Sequence, residues 1–131
     1  MKGIFSLLVV SLFMFGCSSS PSEAEIGQYT SIEVESTYDA GTVAKGEVVD
    51  AAIKIKNTGD YPLVIASVKE ACSCTISSYP EEPIAPGETG TIDASVDTDK
   101  TGKGIINKPI TISANTRPST TTVMITAKVI D

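Results

Sequence analysis

Val49-Asp50-Ala51-Ala52-Ile53-Lys54-Ile55-Lys56, followed at once by Asn57-Thr58-Gly59-Asp60, is the stretch that decides the fold class. Val49, Ala51, Ile53 and Ile55 alternate with Asp50, Ala52, Lys54 and Lys56. Successive side chains of a strand point to opposite faces, so this rhythm gives one apolar inward face and one wet face. The Asn-Thr-Gly-Asp that follows offers the side-chain and glycine chemistry of a turn. Outward from there the same period returns: Ile32 and Val34 upstream, then Ile92, Ala94 and Val96, then Ile110, Ile112 and Ala114, and finally Val123, Ile125, Ala127 and Val129. Leu63-Val64-Ile65-Ala66-Ser67-Val68 is a continuous apolar run of strand length, which reads as a strand covered on both faces.

Beyond residue 16 no window carries apolar residues at helical spacing, and the threonine, valine and isoleucine content suits a pleated surface. Short strands separated by Gly, Pro, Asn and Asp turns, in a segment of this length, predict an all-β protein. The expected architecture is an immunoglobulin-like antiparallel β-sandwich of about seven strands over residues 30–131, with a closed barrel as the alternative. The widely spaced cysteine pair around a tryptophan that pins antibody domains is absent, since the chain has no tryptophan.

The N-terminus carries Lys2, an apolar run from Ile4 to Phe15, then Gly16-Cys17 and Ser18-Ser19-Ser20-Pro21-Ser22. That run is shorter than the roughly 20 residues a spanning helix needs. A charged start, an apolar stretch and a small residue at the cut are the parts of an export signal. With a cysteine directly after Gly16, residues 1–16 read as a lipoprotein signal peptide and Cys17 as the acylated first residue of the mature chain. Residues 17–29 read as the lipidated cysteine and a flexible tether, rich in serine and without periodicity. The expected address is the cell envelope, as an outer membrane lipoprotein facing the periplasm or the surface, held to the membrane through the lipid on Cys17.

The full chain has 10 basic and 16 acidic residues. Removing residues 1–16 takes away Lys2 and no acid, leaving 9 against 16, a net charge of −7. An acidic chain without a basic cluster repels phosphate backbones, so nucleic acid is excluded as a partner. There is no histidine, and no nucleophile, base and orienting group stand together as acid-base or nucleophilic catalysis requires. The expectation is a chain that is not an enzyme and uses no cofactor.

The chemistry-bearing residues that remain are few. Cys72 and Cys74, in Ala71-Cys72-Ser73-Cys74-Thr75, are candidates for a redox pair or a soft-metal site. Two residues apart on a strand, their Cα atoms stand about 6.5–7 Å apart, at the limit for a disulfide, so a bond between them needs a local bend. Small buried residues at a strand end, a labile disulfide and the first two ligands of a metal site are the three readings open to this pair. Asp97-Thr98-Asp99 resembles a fragment of a calcium loop, but the glycine and distal glutamate of such a loop are missing, so solvated turn acids are expected. Glu81-Glu82, beside Pro80 and Pro83, read as exposed loop acids.

Read in order, Asp39-Ala40-Gly41-Thr42-Val43, Gly46-Glu47, Asn57-Thr58-Gly59-Asp60, Pro62-Leu63-Val64-Ile65, Cys72-Ser73-Cys74-Thr75, Pro83-Ile84-Ala85-Pro86-Gly87 and Ser113-Ala114-Asn115 resemble a bacterial family of uncharacterised function, common in lipoproteins of Bacteroidetes. The resemblance covers about Ile32 to Val129. It implies kinship with the immunoglobulin-like domains of the major sperm protein and Hydin type, which serve as interaction modules. In this chain Ala40 stands where that family commonly has an aromatic residue, and Ser73 where it usually has glycine between the cysteines.

Two function classes follow. The first is a non-enzymatic envelope module that binds another envelope protein or a glycan. The second is a thiol-based redox or metal-handling lipoprotein using Cys72 and Cys74. For the first class, the expected contact is an edge strand that accepts a partner's strand, with Ile32–Thr37 favoured because it follows the tether.

Overall fold

The computed structural model describes residues 27–73 and 75–131. The signal segment, Cys17, the tether up to residue 26, and Cys74 lie outside the described residues. The alternation of Val49–Lys56 becomes β3 (Val48–Asn57), in which every second residue from Val49 to Asn57 is buried and the residues between are exposed. Around it stand β1 (Ile32–Val34), β2 (Thr37–Ala44), β4 (Ile65–Glu70), β5 (Thr75–Ser78), β6 (Thr89–Asp97), β7 (Gly104–Ala114) and β8 (Thr120–Ile130). The only helical element among the described residues is one 3-10 turn, Thr98–Lys100.

These strands form two four-stranded sheets, ordered β1-β3-β6-β5 and β2-β8-β7-β4. Their inner faces meet in one core: Val49, Ala51, Ile53, Ile55, Ile92, Ala94 and Val96 from the first sheet, and Ile110, Ile112, Val123, Ile125, Ala127 and Val129 from the second. The inward sets read from the period-two pattern of β3, β6 and β8 are the buried ones. Burial of branched aliphatic side chains on two facing sheets is the main favourable term here, about 1.5–3 kcal/mol for each fully buried one.

Two features depart from the sequence expectation. The sandwich is not wholly antiparallel, because β2 runs parallel to β8 from Thr37↔Met124 to Ala44↔Ile130. β1 lies antiparallel to β3, and at Glu35-Ser36 the chain crosses to the other sheet without reversing; its direction there matches that of β8. The first strand expected over Ile32–Thr37 thus ends at Val34, and Thr37 already opens β2 in the other sheet; the described residues form eight strands.

The second departure is the Leu63–Val68 run. It is not a doubly covered strand: β4 starts at Ile65, lies at an edge of its sheet, and buries Ile65 and Val68 while Ala66 is exposed. A register shift between Ile65 and Ser67 changes the parity, so residues three apart face the core. Leu63 is buried separately, in an isolated bridge to Ile84 with both amides engaged, at 2.8 and 2.9 Å.

Candidate interaction surface

At the end of the sandwich where β3 finishes and β7 turns toward β8, two asparagines organise the loops. Asn57 is fully buried. Its Oδ1 accepts from the Thr30 hydroxyl at 2.6 Å and the Gly59 amide at 3.1 Å, and its Nδ2 donates to the carbonyls of Tyr61 at 2.7 Å and Ile84 at 2.9 Å. Asn115 does the same for the neighbouring loop: its Oδ1 accepts from the Val64 amide at 2.7 Å, and its Nδ2 donates to the carbonyls of Pro62 at 2.9 Å and Gln28 at 3.2 Å. A Cβ on Gly59 would overlap Thr30 Oγ1 and the Ser31 amide nitrogen, so this turn admits only glycine. The Asn57-Thr58-Gly59-Asp60, Pro62–Ile65, Pro83–Gly87 and Ser113–Asn115 segments therefore meet in one polar corner whose groups are spent on backbone satisfaction.

The opposite end is closed by Thr98. Its amide and hydroxyl donate to the Glu47 carbonyl at 3.2 and 2.6 Å, and its Oγ1 accepts from the Gly46 amide at 2.9 Å. Gly46 holds a φ of +96°, a left-handed conformation that favours glycine. Asp97 caps the 3-10 turn by accepting from the Asp99 amide at 3.1 Å. Asp97-Thr98-Asp99 is thus a capped turn, and Glu81 and Glu82 are exposed, as read from the sequence.

Cys72 does not lie on a strand. Cys72 and Ser73 occupy the turn by which the chain leaves β4 in the second sheet for β5 in the first, and the Thr75 amide closes it on the Cys72 carbonyl at 3.3 Å. Cys72 is disulfide-bonded. The chain's other cysteines, Cys17 and Cys74, lie outside the described residues. A disulfide sulfur has no proton, so the Thr75 hydroxyl is the donor in its 3.9 Å contact with Cys72 Sγ. Across the turn, Glu70 Oε1 accepts from the Ser77 hydroxyl at 2.5 Å and the Ser77 amide at 3.0 Å. The Ser77 hydroxyl hydrogen bond, foremost, holds the Glu70 carboxyl below its ordinary pKa. Among the described residues no group of three or more His, Cys, Asp or Glu side chains is placed to hold a metal ion.

The surface with unsatisfied capacity is the seam where the first strand changes sheets. β1 pairs with only three residues of β3, Ile55 to Asn57. The Thr58 amide donates to Ser31 on the β1 side and the Asn57 amide to Glu88 on the β6 side. Backbone groups alternate along an antiparallel strand, so the N–H and C=O of Val48, Asp50, Ala52 and Lys54 all point to the β1 side. Among the described residues no strand occupies that lane beside Val48–Lys54. A cleft of about 190 Å³ opens there between the sheets, lined by Glu35, Tyr38, Ala52, Ile53, Lys54 and Val123.

The edge expected from the sequence is only part of this seam. β1 is an edge strand, but Thr30 bridges to Thr116 and the β7–β8 connection runs alongside, with Arg117 stacked 3.9 Å from the centroid of the Tyr29 ring. Only Ile32 and Val34 of β1 direct backbone groups outward. The longer opening on β3 was missed because a strand's alternation shows which face is inward and says nothing of which edge is paired.

Two four-stranded sheets, with the chain passing from β1 in one to β2 in the other and a parallel pair at the crossover, define an immunoglobulin-like sandwich. The ASH/PapD-like domain 7 of human CEP192 superposes with a TM-score of 0.62 at 11% identity, over 96% of this chain and 99% of that one. Residues 31–129 match DUF1573, a family of protein of unknown function, and the chain belongs to that family. A protein of unknown function from Porphyromonas gingivalis W83 is similar at a TM-score of 0.69 and 23% identity over 85% of this chain; the chain spans 50% of its length. The secreted serine protease VesC from Vibrio cholerae matches over 76% of this chain and 23% of its own, at a TM-score of 0.60 and 11% identity. At these identities the likenesses concern the fold alone. None of the curated proteins compared matches the chain.

Proposed function

We propose that this chain is a cell-envelope lipoprotein, anchored in the outer membrane by acyl chains on Cys17, whose sandwich domain binds another envelope protein or a glycan and catalyses nothing. The observation that carries the reading is the seam itself. Buried polar side chains are consumed in holding loops, whereas a run of backbone donors and acceptors on β3 is left open beside an apolar cleft. Unpaired edges invite strand addition, and natural domains leave them long only where something uses or guards them. The Gly16-Cys17 junction and the serine-rich stretch after it support the anchor. More than one acyl chain makes such anchoring stable.

The test has two arms. Cys17→Ser should abolish incorporation of a fatty-acid analogue and release the protein from the membrane fraction or leave it uncleaved; unchanged labelling refutes the anchor. Cross-linking in intact envelopes should trap the chain in a discrete larger species. A chain that cross-links to nothing under conditions where other lipoproteins do is not a binding module.

A further inference from the structure

We propose that the lane beside Val48–Lys54 is a strand-acceptor site for an extended peptide, running antiparallel to β3, with apolar residues inward, a basic residue opposite Asp50 and an acidic residue opposite Lys54. This rests on the binding-module reading and names the surface and the class of partner. The lane continues the line of β1, which leaves it free when the chain crosses at Glu35-Ser36.

Three observations fix the partner's chemistry. Outward N–H and C=O groups at Val48, Asp50, Ala52 and Lys54 can only be matched by a backbone in extended conformation. Residues of the added strand opposite Val49, Ala51 and Ile53 share the inward face, where Tyr38, Ile53 and Val123 wall the cleft and an aliphatic side chain fits. Residues opposite the even positions lie on the wet face, where Asp50, held by the Ser95 hydroxyl at 2.6 Å, and Lys54 present opposite charges four residues apart. Directly opposed unlike charges favour a cross-strand pair and like charges oppose it, so Asp50 and Lys54 set both direction and register. Val48, 57% exposed at the far end of the lane, extends the apolar surface.

A second copy of this chain fits the lane poorly. Pairing β3 with β3 around Ala51 would drive the Gly46-Glu47 turn of each copy into the other's Glu33 and Val34, because β1 occupies the lane from Ile55 onward. A free peptide can simply end there. The lane beside β8 is shorter, since β2 takes up pairing from Met124 onward.

The probe is acetyl-Glu-Val-Thr-Val-Lys-Val-Thr-amide, whose residues in order oppose Lys54 through Val48. Fluorescence anisotropy of the labelled peptide against the full-length protein in detergent micelles should show saturable binding. The peptide with Glu and Lys exchanged should bind about ten-fold more weakly. A photo-reactive derivative should cross-link to Val48–Lys54 or to the walls of the cleft. Ala52→Pro removes an amide that no strand of the domain uses and should lower affinity by about ten-fold or more. The paired variant Asp50→Lys with Lys54→Glu should reverse the preference between the two peptides, which keeps the test decisive if the proline variant misfolds. Absence of binding by either peptide, cross-links elsewhere, a folded Ala52→Pro protein of unchanged affinity, or a preference that the charge exchange leaves in place each overturns the site. The envelope cross-linking result is independent of all of these, so the site can fail while the module reading stands.

Discussion

Replacing Asn57 by alanine removes four hydrogen bonds from the polar corner at once. The partners are not equally harmed. The Ile84 carbonyl keeps the Leu63 amide at 2.8 Å, while the Gly59 amide and the carbonyl of exposed Tyr61 lie where water reaches. The Thr30 hydroxyl, on a residue only 6% exposed, loses its acceptor in a dry site. With about 0.5–1.5 kcal/mol net for each bond, and about 1–3 kcal/mol for a buried group left unpaired, the expected loss is about 3–5 kcal/mol. That is a large share of the roughly 5–15 kcal/mol that holds a domain together. Asn57→Asp sharpens the test. It keeps the shape and both bonds to Oδ1 but sets a desolvated carboxylate oxygen against the Tyr61 and Ile84 carbonyls, so at neutral pH it should cost more than alanine. Burial raises the folded pKa of the introduced carboxyl above its unfolded value of about 3.9. The folded state then binds the extra proton, so the aspartate variant should recover toward wild type as pH falls to about 4, while the alanine variant should not. Urea denaturation followed by far-UV circular dichroism, at neutral and acidic pH, measures both. An alanine cost below about 1 kcal/mol, or an aspartate variant without that recovery, would mean the corner does not hold the loops as its geometry implies.

Two further outcomes follow from the same structure. Ile125→Ala, at a site with no exposure, should cost about 2–5 kcal/mol in the same denaturation experiment, whereas Ile105→Ala, at 76% exposure, should lie within about 0.5 kcal/mol of wild type. Equal effects at the two positions would refute the assigned inward face of the second sheet. Glu70, its pKa lowered foremost by the Ser77 hydroxyl, binds fewer protons folded than unfolded. It therefore contributes stability above its unfolded pKa of about 4.3 that is lost as pH falls through the folded value. Solvent screens this exposed pair, so Glu70→Gln should flatten the acid limb of the stability profile by no more than about 1 kcal/mol; an unaltered limb refutes the contribution.

Period two in Val49–Ile55, Ile92–Val96 and Val123–Val129 was enough to assign strands, inward faces and a two-layer class, because alternation is a local property of each strand and its burial. The motif residues Asn57, Gly59 and Asn115 were visible as a pattern, but their joint role was not. Asn57 and Gly59 are far from Asn115 in sequence, and their loops meet only where two sheets end together. The Leu63–Val68 run shows the limit most clearly: a continuous apolar stretch carries no parity, and a shift at Ala66 decided which of its residues turned inward.

What the sequence by itself determined is therefore the β class, the expectation of an exported and lipidated chain, the acidic balance, and most of the core. Only the tertiary structure decided which strand neighbours which. The crossing at Glu35-Ser36, the parallel pairing of β2 with β8, the turn that carries Cys72 between sheets and the open edge of Val48–Lys54 all depend on pairing between distant segments. Edge pairing uses backbone groups that every residue except proline shares, so side-chain identity does not encode it; it is set by where the packed sheets leave room.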